Sequence, residues 1–341
     1  MREQSIQPKR STRLLPGTLK NLFFPPEPDE YEYFRVAGQN PFLADGDIVK
    51  AAWAADAAML SYARYGSRRM SDGELEENLA RGGLKLKAKI GENPLDWNAP
   101  GTQAFFATGK DFALLAFRGT EADDPADSKA DLDILLVHEP EYKGFSAPPL
   151  GHLSLIEHLS IPCLVHHGFQ AALNRVWESV HDLLTQYRAA EPQAEICITG
   201  HSLGGALALL TYSRFADPNT SAYTIGCPRV GNGAFRKRVA ANPGRGHYRI
   251  VNLHDLVAHV PLESALYMHS PIGCYQIDEA GCLNYSEVDE TIVDLSILAK
   301  TFGGLPADFK TNPQAFLACP APPGLVDHSP ARYCMRLWDF V

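Results

Sequence analysis

The sequence contains no run of about 18 consecutive apolar residues, so no transmembrane segment is expected. It has no surplus of positive charge either. A formal net charge of −9 leaves it without the basic face that nucleic acid or an anionic membrane would require, and points to neutral or apolar ligands. Met1 to Lys20 is basic but lacks the apolar stretch of a secretory signal, which reads as a cytoplasmic chain or one exported by a route without a Sec signal peptide. The seven cysteines are scattered, odd in number and without a Cys-x-x-Cys pair. They read as reduced core residues of a reducing compartment, with Cys274 and Cys282 the pair to consider for a disulfide. There is no His-Glu-x-x-His and no cluster of carboxylates, so no metal is expected. Internal repeats are absent.

What is present is a chain of 341 residues, 45% hydrophobic and 21% charged, ordinary proportions for a globular protein with a sizeable core. Residues 1–40 are rich in proline and charge. Phe24-Pro25-Pro26-Glu27-Pro28 suits neither helix nor central strand, so this stretch reads as an arm that either straps onto the domain of residues 41–341 or stays disordered. An alanine-rich helix is predicted over Asp47 to Tyr65, and Ser71-Asp72-Gly73-Glu74 has capping-box spacing for a helix ending at Gly82-Gly83. Strands are expected at Leu84 to Ile90, Gln103 to Thr108 and Phe112 to Phe117, then a helix from Gln170 to Ala190. Further on, strands Ala222 to Ile225 and His247 to Leu253 flank a helix over Gly233 to Ala241. Tyr267 to Ile277 reads as a hairpin, and Ser286 to Phe302 as a helix.

The stretch that organises the rest is Cys197-Ile198-Thr199-Gly200-His201-Ser202-Leu203-Gly204-Gly205. A β-branched run stops there and a small-residue helix begins, with Gly-x-Ser-x-Gly between them. Glycines two before and two after the serine let strand and helix pack closely around a sharp turn, which is what exposing a nucleophilic serine requires. The competing reading is an ordinary turn in which Ser202 merely caps the helix.

A serine hydroxyl is a poor nucleophile at neutral pH and needs an imidazole to take its proton and a carboxylate to orient that imidazole. Asp255, past the end of the strand His247 to Leu253, is the expected carboxylate; a turn aspartate is its plainer explanation. Three later histidines compete for the base: His259, His269 and His328. His328, in a late loop after Asp327 and before Ser329-Pro330, is favoured for its reach over the sheet end, with His269 in reserve. The oxyanion needs about two donors, each worth roughly 3 kcal/mol of barrier. Leu203 N–H, at the start of the helix, is the first and Thr120, after Gly119, the second.

Taken together, Phe117-Arg118-Gly119-Thr120, Val165-His166-x-Gly168-Phe169, Gly200-His201-Ser202-Leu203-Gly204-Gly205, Gly226-x-Pro228-Arg229-Val230-Gly231-Asn232, Asp255 with Pro261, and Asp327-His328 resemble the ordered motifs of class 3 lipases. The resemblance runs from Asp47 to Leu337. It implies an α/β-hydrolase fold, a mostly parallel central sheet flanked by helices, with an N-terminal extension and a candidate cap insertion. It also implies triacylglycerol lipase or carboxylesterase activity on lipid or other carboxylic esters, with Ser202, Asp255 and His328 as triad, Thr120 and Leu203 as oxyanion donors, and no cofactor. His166, His201 and Arg229 match positions usually thought structural.

Two departures stand out. Glu121 to Asp131, where relatives carry a short amphipathic lid, is acidic and without an aromatic, which suits at most transient contact with lipid surfaces. Ile292 to Leu317 is the candidate substitute cap, with core packing as its alternative. Phospholipase A1 or aromatic-acid esterase activity is the runner-up, because a triad selects the bond and not the acyl group. A catalytically silent scaffold is the alternative of another class.

Overall fold

The structure, a computed structural model, describes residues 5–35, 47–65, 68–91, 101–119, 136–139, 162–252, 255–261, 267–269, 273–286 and 318–341. The chain opens with strand β1 (Ser5–Ile6) and helix α1 (Leu19–Phe23), capped by Thr18, whose side chain accepts from Asn21 N–H. Helix α2 (Asp47–Leu60) is buried throughout residues 51–60; its alanines let it lie close against the sheet. Arg64–Tyr65 (β2) and Arg68–Arg69 (β3) form a small ladder. The capping box predicted at Ser71 is in place. Ser71 Oγ accepts from Glu74 N–H at 3.3 Å, and Glu74 accepts from Ser71 N–H at 2.8 Å, opening α3 (Asp72–Arg81).

Strands β4 (Lys85–Gly91), β5 (Gln103–Thr108) and β6 (Phe112–Phe117) follow, then a short ladder of β7 (Leu136–His138) with β8 (Leu164–His166). The helix expected over Gln170 to Ala190 is two helices, α4 (His167–Asn174) and α5 (Trp177–Ala190). The repeating unit then runs β9 (Glu195–His201), α6 (Leu203–Arg214), β10 (Thr220–Ile225), α7 (Gly233–Ala240) and β11 (Gly246–Asn252). A 3₁₀ turn (Val257–His259), strands β12 (Cys274–Ile277) and β13 (Leu283–Ser286), helix α8 (Pro323–Val326) and helix α9 (Pro330–Trp338) complete the described elements.

Among the described residues, nine strands form one sheet in the order β1-β13-β12-β11-β10-β9-β6-β5-β4. The five from β12 to β6 run parallel, with antiparallel strands on each flank. Side chains alternate between two cores, as the pleat requires. On β6, Phe112, Leu114 and Ala116 join the core under α2 and α9, while Ala113, Leu115 and Phe117 join the one under α5 and α6. The outer strand β4 carries Lys85, Lys87 and Lys89 at alternate positions, a charged edge that discourages pairing with another chain.

The hairpin lies later than Tyr267 to Ile277: it is β12 with β13, its turn held by Asp278, which accepts from Cys282 N–H and Asn284 Nδ2. Cys274 pairs with Ser286 and Ile277 with Leu283, so Cys274 and Cys282 stand at opposite ends of the hairpin, and all seven cysteines are free thiols. Residues 287–302 of the expected helix, the acidic segment at 121–131 and the candidate cap at 292–317 lie outside the described residues.

Residues of the N-terminal arm pack on this domain. Tyr31 Oη and Phe34 N–H donate to the buried Asp56 carboxylate of α2, which also accepts from Trp338 Nε1 of α9 at 3.1 Å. Asp339, just past α9, takes Arg10 N–H on its carbonyl and Thr12 N–H on its carboxylate.

Candidate active site

Ser202 sits between β9 and α6 with φ +57° and ψ −124°, a conformation that L residues rarely hold. The turn is tight because strand and helix nearly touch: a Cβ on Gly200 would lie 2.2 Å from the backbone of Gly204. Ser202 N–H donates to Ile225 O at 3.0 Å, and its side chain makes no capping hydrogen bond to α6, so the merely capping role is not what it performs. Leu203 is the first residue of α6, where an N–H has no acceptor within the helix and the dipole favours negative charge.

Asp255 follows β11 and is fully buried. Its Oδ1 accepts from Val257 N–H at 2.9 Å and Ala258 N–H at 3.3 Å, the turn role that its position suggested. Its Oδ2 accepts from His328 Nδ1 at 2.9 Å and Tyr333 Oη at 2.6 Å. Burial raises its pKa, yet the adjacent His328 and these donors outweigh burial and hold that pKa below its ordinary value.

The turn carrying His328 is pinned on both sides. Asn252 Nδ2 donates to Asp327 O at 2.8 Å, Leu256 N–H to Gly324 O at 3.0 Å, and Ser329 Oγ reaches Asn21 O of α1. Arg332 pairs with Asp327 at 3.2 Å, which keeps that carboxylate off the histidine. Because Nδ1 is engaged by Asp255, Nε2 is the atom of His328 left for proton transfer.

The structure therefore brings Asp255 and His328 into contact at the carboxyl end of the parallel strands, the end at which β9 also delivers Ser202. His259 and His269 are elsewhere. His259 gives its carbonyl to Arg229, and the half-buried His269 lines a small cavity together with Arg249. Desolvation of its ring, then the charges of Arg249 and Arg229, holds His269 neutral, its pKa well below the ordinary value. Thr120 lies outside the described residues, which end at Gly119 on that side.

Two residues of this site carried no recognisable signal of their own role. Tyr333 lies in the final segment, for which the sequence offered no motif, yet its hydroxyl accepts from Asn252 N–H at 3.0 Å while donating to Asp255. Gly226 stood only as a motif position. It has φ +55°, and a Cβ there would lie 2.7 Å from Asp255 Oδ2 and 3.1 Å from His328 Nδ1, so any side chain would enter the carboxylate–imidazole contact.

Residues 114–265 match the family model described as Lipase (class 3). A lipase of Rhizopus niveus is 36% identical over 112 residues, 31% of this chain and 28% of that protein. The secreted mono- and diacylglycerol lipase A of Penicillium camembertii is 30% identical over 156 residues, 44% and 50% of the two chains. This chain thus spans between about a quarter and half of the length of these relatives. Among solved structures, the lipase of Rhizopus microsporus var. chinensis aligns with a TM-score of 0.54 at 22% identity, over 93% of this chain and 96% of that one. The Rhizomucor miehei lipase propeptide complex aligns with a TM-score of 0.54 at 24% identity, over 72% and 74%. The fold is that of the fungal lipases, an α/β-hydrolase sheet flanked by helices.

The expected localisation is corrected by these relatives. The matching proteins of Penicillium camembertii and Fusarium solani are secreted lipases, which points to export and not to the cytoplasm. The cysteines misled because compartment decides oxidation only where two thiols meet; Cys197, Cys227 and Cys334 are buried and free.

Proposed function

We propose that this class 3 lipase-like chain is a serine carboxylic ester hydrolase acting on lipid esters through an acyl-enzyme on Ser202. The observation that carries the reading is the strained, uncapped Ser202 at the same sheet end as the Asp255–His328 pair, 2.9 Å apart. Ser202 Oγ attacks the ester carbonyl as His328 Nε2 takes its proton, and Asp255 stabilises the imidazolium that results. The oxyanion forms against Leu203 N–H and, on its position after Gly119, Thr120. His328 then returns the proton to the departing alcohol, and water repeats the cycle to free the acid. None of these steps calls on a metal or cofactor.

Phospholipase A1 and aromatic-ester cleavage use the same steps and differ only in the pocket that takes the acyl group. A silent scaffold on this fold is disfavoured by the buried Asp255–His328 contact, which a binding surface has no reason to maintain. The test is hydrolysis of p-nitrophenyl esters of graded chain length, below and above micelle formation, by wild type and Ser202→Ala. Turnover in wild type that falls at least about 10⁴-fold in the variant supports the reading. Equal rates in both would sink it.

A further inference from the structure

His201 separates Gly200 from Ser202, is buried at the end of β9, and has no part in the steps above. Its ring nitrogens meet two different partners. Nε2 lies 2.7 Å from the carbonyl oxygen of His328, and Nδ1 lies 2.9 Å from Tyr62 Oη. A carbonyl can only accept, so Nε2 carries the hydrogen; in a neutral ring Nδ1 is then an acceptor, and Tyr62 donates to it. The ring is neutral, since burial and then the nearby His328 push its pKa down to about 3. The partners thus determine the tautomer.

We propose that His201 is a positioning residue for hydrolysis: its Nε2–H holds the main chain of His328 and so sets where the base stands relative to Ser202. Tyr62 maintains the tautomer that makes this donation. The inference rests on the ester-hydrolase reading of the site. Asp255 engages the His328 ring at Nδ1 and fixes its tautomer and direction. The hold on the His328 carbonyl fixes instead the main chain from which the ring projects, and it comes from the residue covalently joined to the nucleophile. One peptide link and one hydrogen bond therefore span from Ser202 to the backbone of its base.

Neutrality is part of the arrangement. The His201 and His328 rings lie 4.5 Å apart, so a charged His201 would oppose the positive charge that His328 acquires during reaction. The same pair also packs against Gly119. A Cβ on Gly119 would lie 2.2 Å from Tyr62 Oη and 2.7 Å from His201 O, so Tyr62 and His201 fill the space beside Gly119 past the end of β6.

The test compares His201→Phe, which keeps a ring and loses the donor, with His201→Gln, whose amide nitrogen can replace Nε2, and with Tyr62→Phe. Steady-state ester hydrolysis is read with proton NMR of the Nδ1 hydrogen shared by His328 and Asp255. His201→Phe should lower kcat about tenfold or more with KM within about twofold, and should broaden that resonance. His201→Gln should recover most of kcat and the sharp signal; Tyr62→Phe should lower kcat by a smaller factor. A kcat within about twofold of wild type in His201→Phe, or a Gln variant as impaired as Phe at an unchanged Tm, overturns the proposal. If His201→Phe does not fold, an unchanged kcat in Tyr62→Phe overturns it alone. Absence of esterase activity in wild type would instead strike the hydrolase reading, leaving the resonance to judge whether His201 holds His328.

Discussion

Tyr333 and His328 donate to the same oxygen of Asp255, the phenol at 2.6 Å and the imidazole at 2.9 Å. The carboxylate is thus shared between a proton carrier and a fixed donor. Tyr333→Phe removes the fixed donor and strands Asn252 N–H, so stability should fall by about 1–3 kcal/mol. Asp255 would then turn its full basicity on His328, and activity should stay within about tenfold of wild type. Denaturant melts and initial rates on one ester check both, and an unaltered melt would show that the phenol is dispensable.

The positive φ of Ser202 gives a stability prediction separate from activity. Ser202→Gly and Ser202→Ala should both be inactive, but only glycine occupies φ +57° without strain. The glycine variant should be more stable than the alanine variant by about 1 kcal/mol, read as a higher denaturant midpoint. The reverse order would mean that the turn is not strained.

At Gly226 the expected effect is on catalysis first. The Cβ of Gly226→Ala would press on Asp255 Oδ2 from 2.7 Å, and the backbone is already at φ +55°. Displacement of the carboxylate should lower kcat/KM about a hundredfold, with a stability loss of about 1–3 kcal/mol. Wild-type kcat/KM in this variant would contradict the packing described.

Asp56 makes stability depend on pH. Burial pushes its carboxyl up from the ordinary range to about 6 despite hydrogen bonds from three donors, Tyr31, Phe34 and Trp338. The native state therefore holds a proton that the unfolded chain has released. The resulting stabilisation is fully present below about pH 4 and is lost as pH rises through 6, roughly 3 kcal/mol in all. Asp56→Asn should flatten the pH dependence of unfolding between pH 4 and pH 7, measured by denaturant titration. An unchanged slope would place the titrating group elsewhere.

The sheet was readable because its signals are local. Phe112 to Phe117 and Glu195 to Ile198 are short apolar runs between turns, and Ser71 with Glu74 spells a cap within four residues. The contact between Asp255 and His328 was legible through motif order. Tyr333 and the Tyr62–His201 contact were not, because each joins segments far apart in sequence and only packing brings them together. The helix break at Arg175–Val176 escaped notice for a different reason: neither glycine nor proline marks it. The hairpin was misplaced because Tyr267 and Met268 look extended and are so, but Met268 bridges to Gly231 instead of a sequence neighbour.

The carboxylate of Asp56 gathers the arm, α2 and α9 at one buried point, and α9 starts directly after His328 and Ser329. Opening any one of the three would expose the others' anchor to water. The floor beneath the base is therefore a single cooperative unit. Its amides in α2 and α9 should exchange with deuterium only through the same large excursion, while the outer strand β4 exchanges through smaller, independent openings.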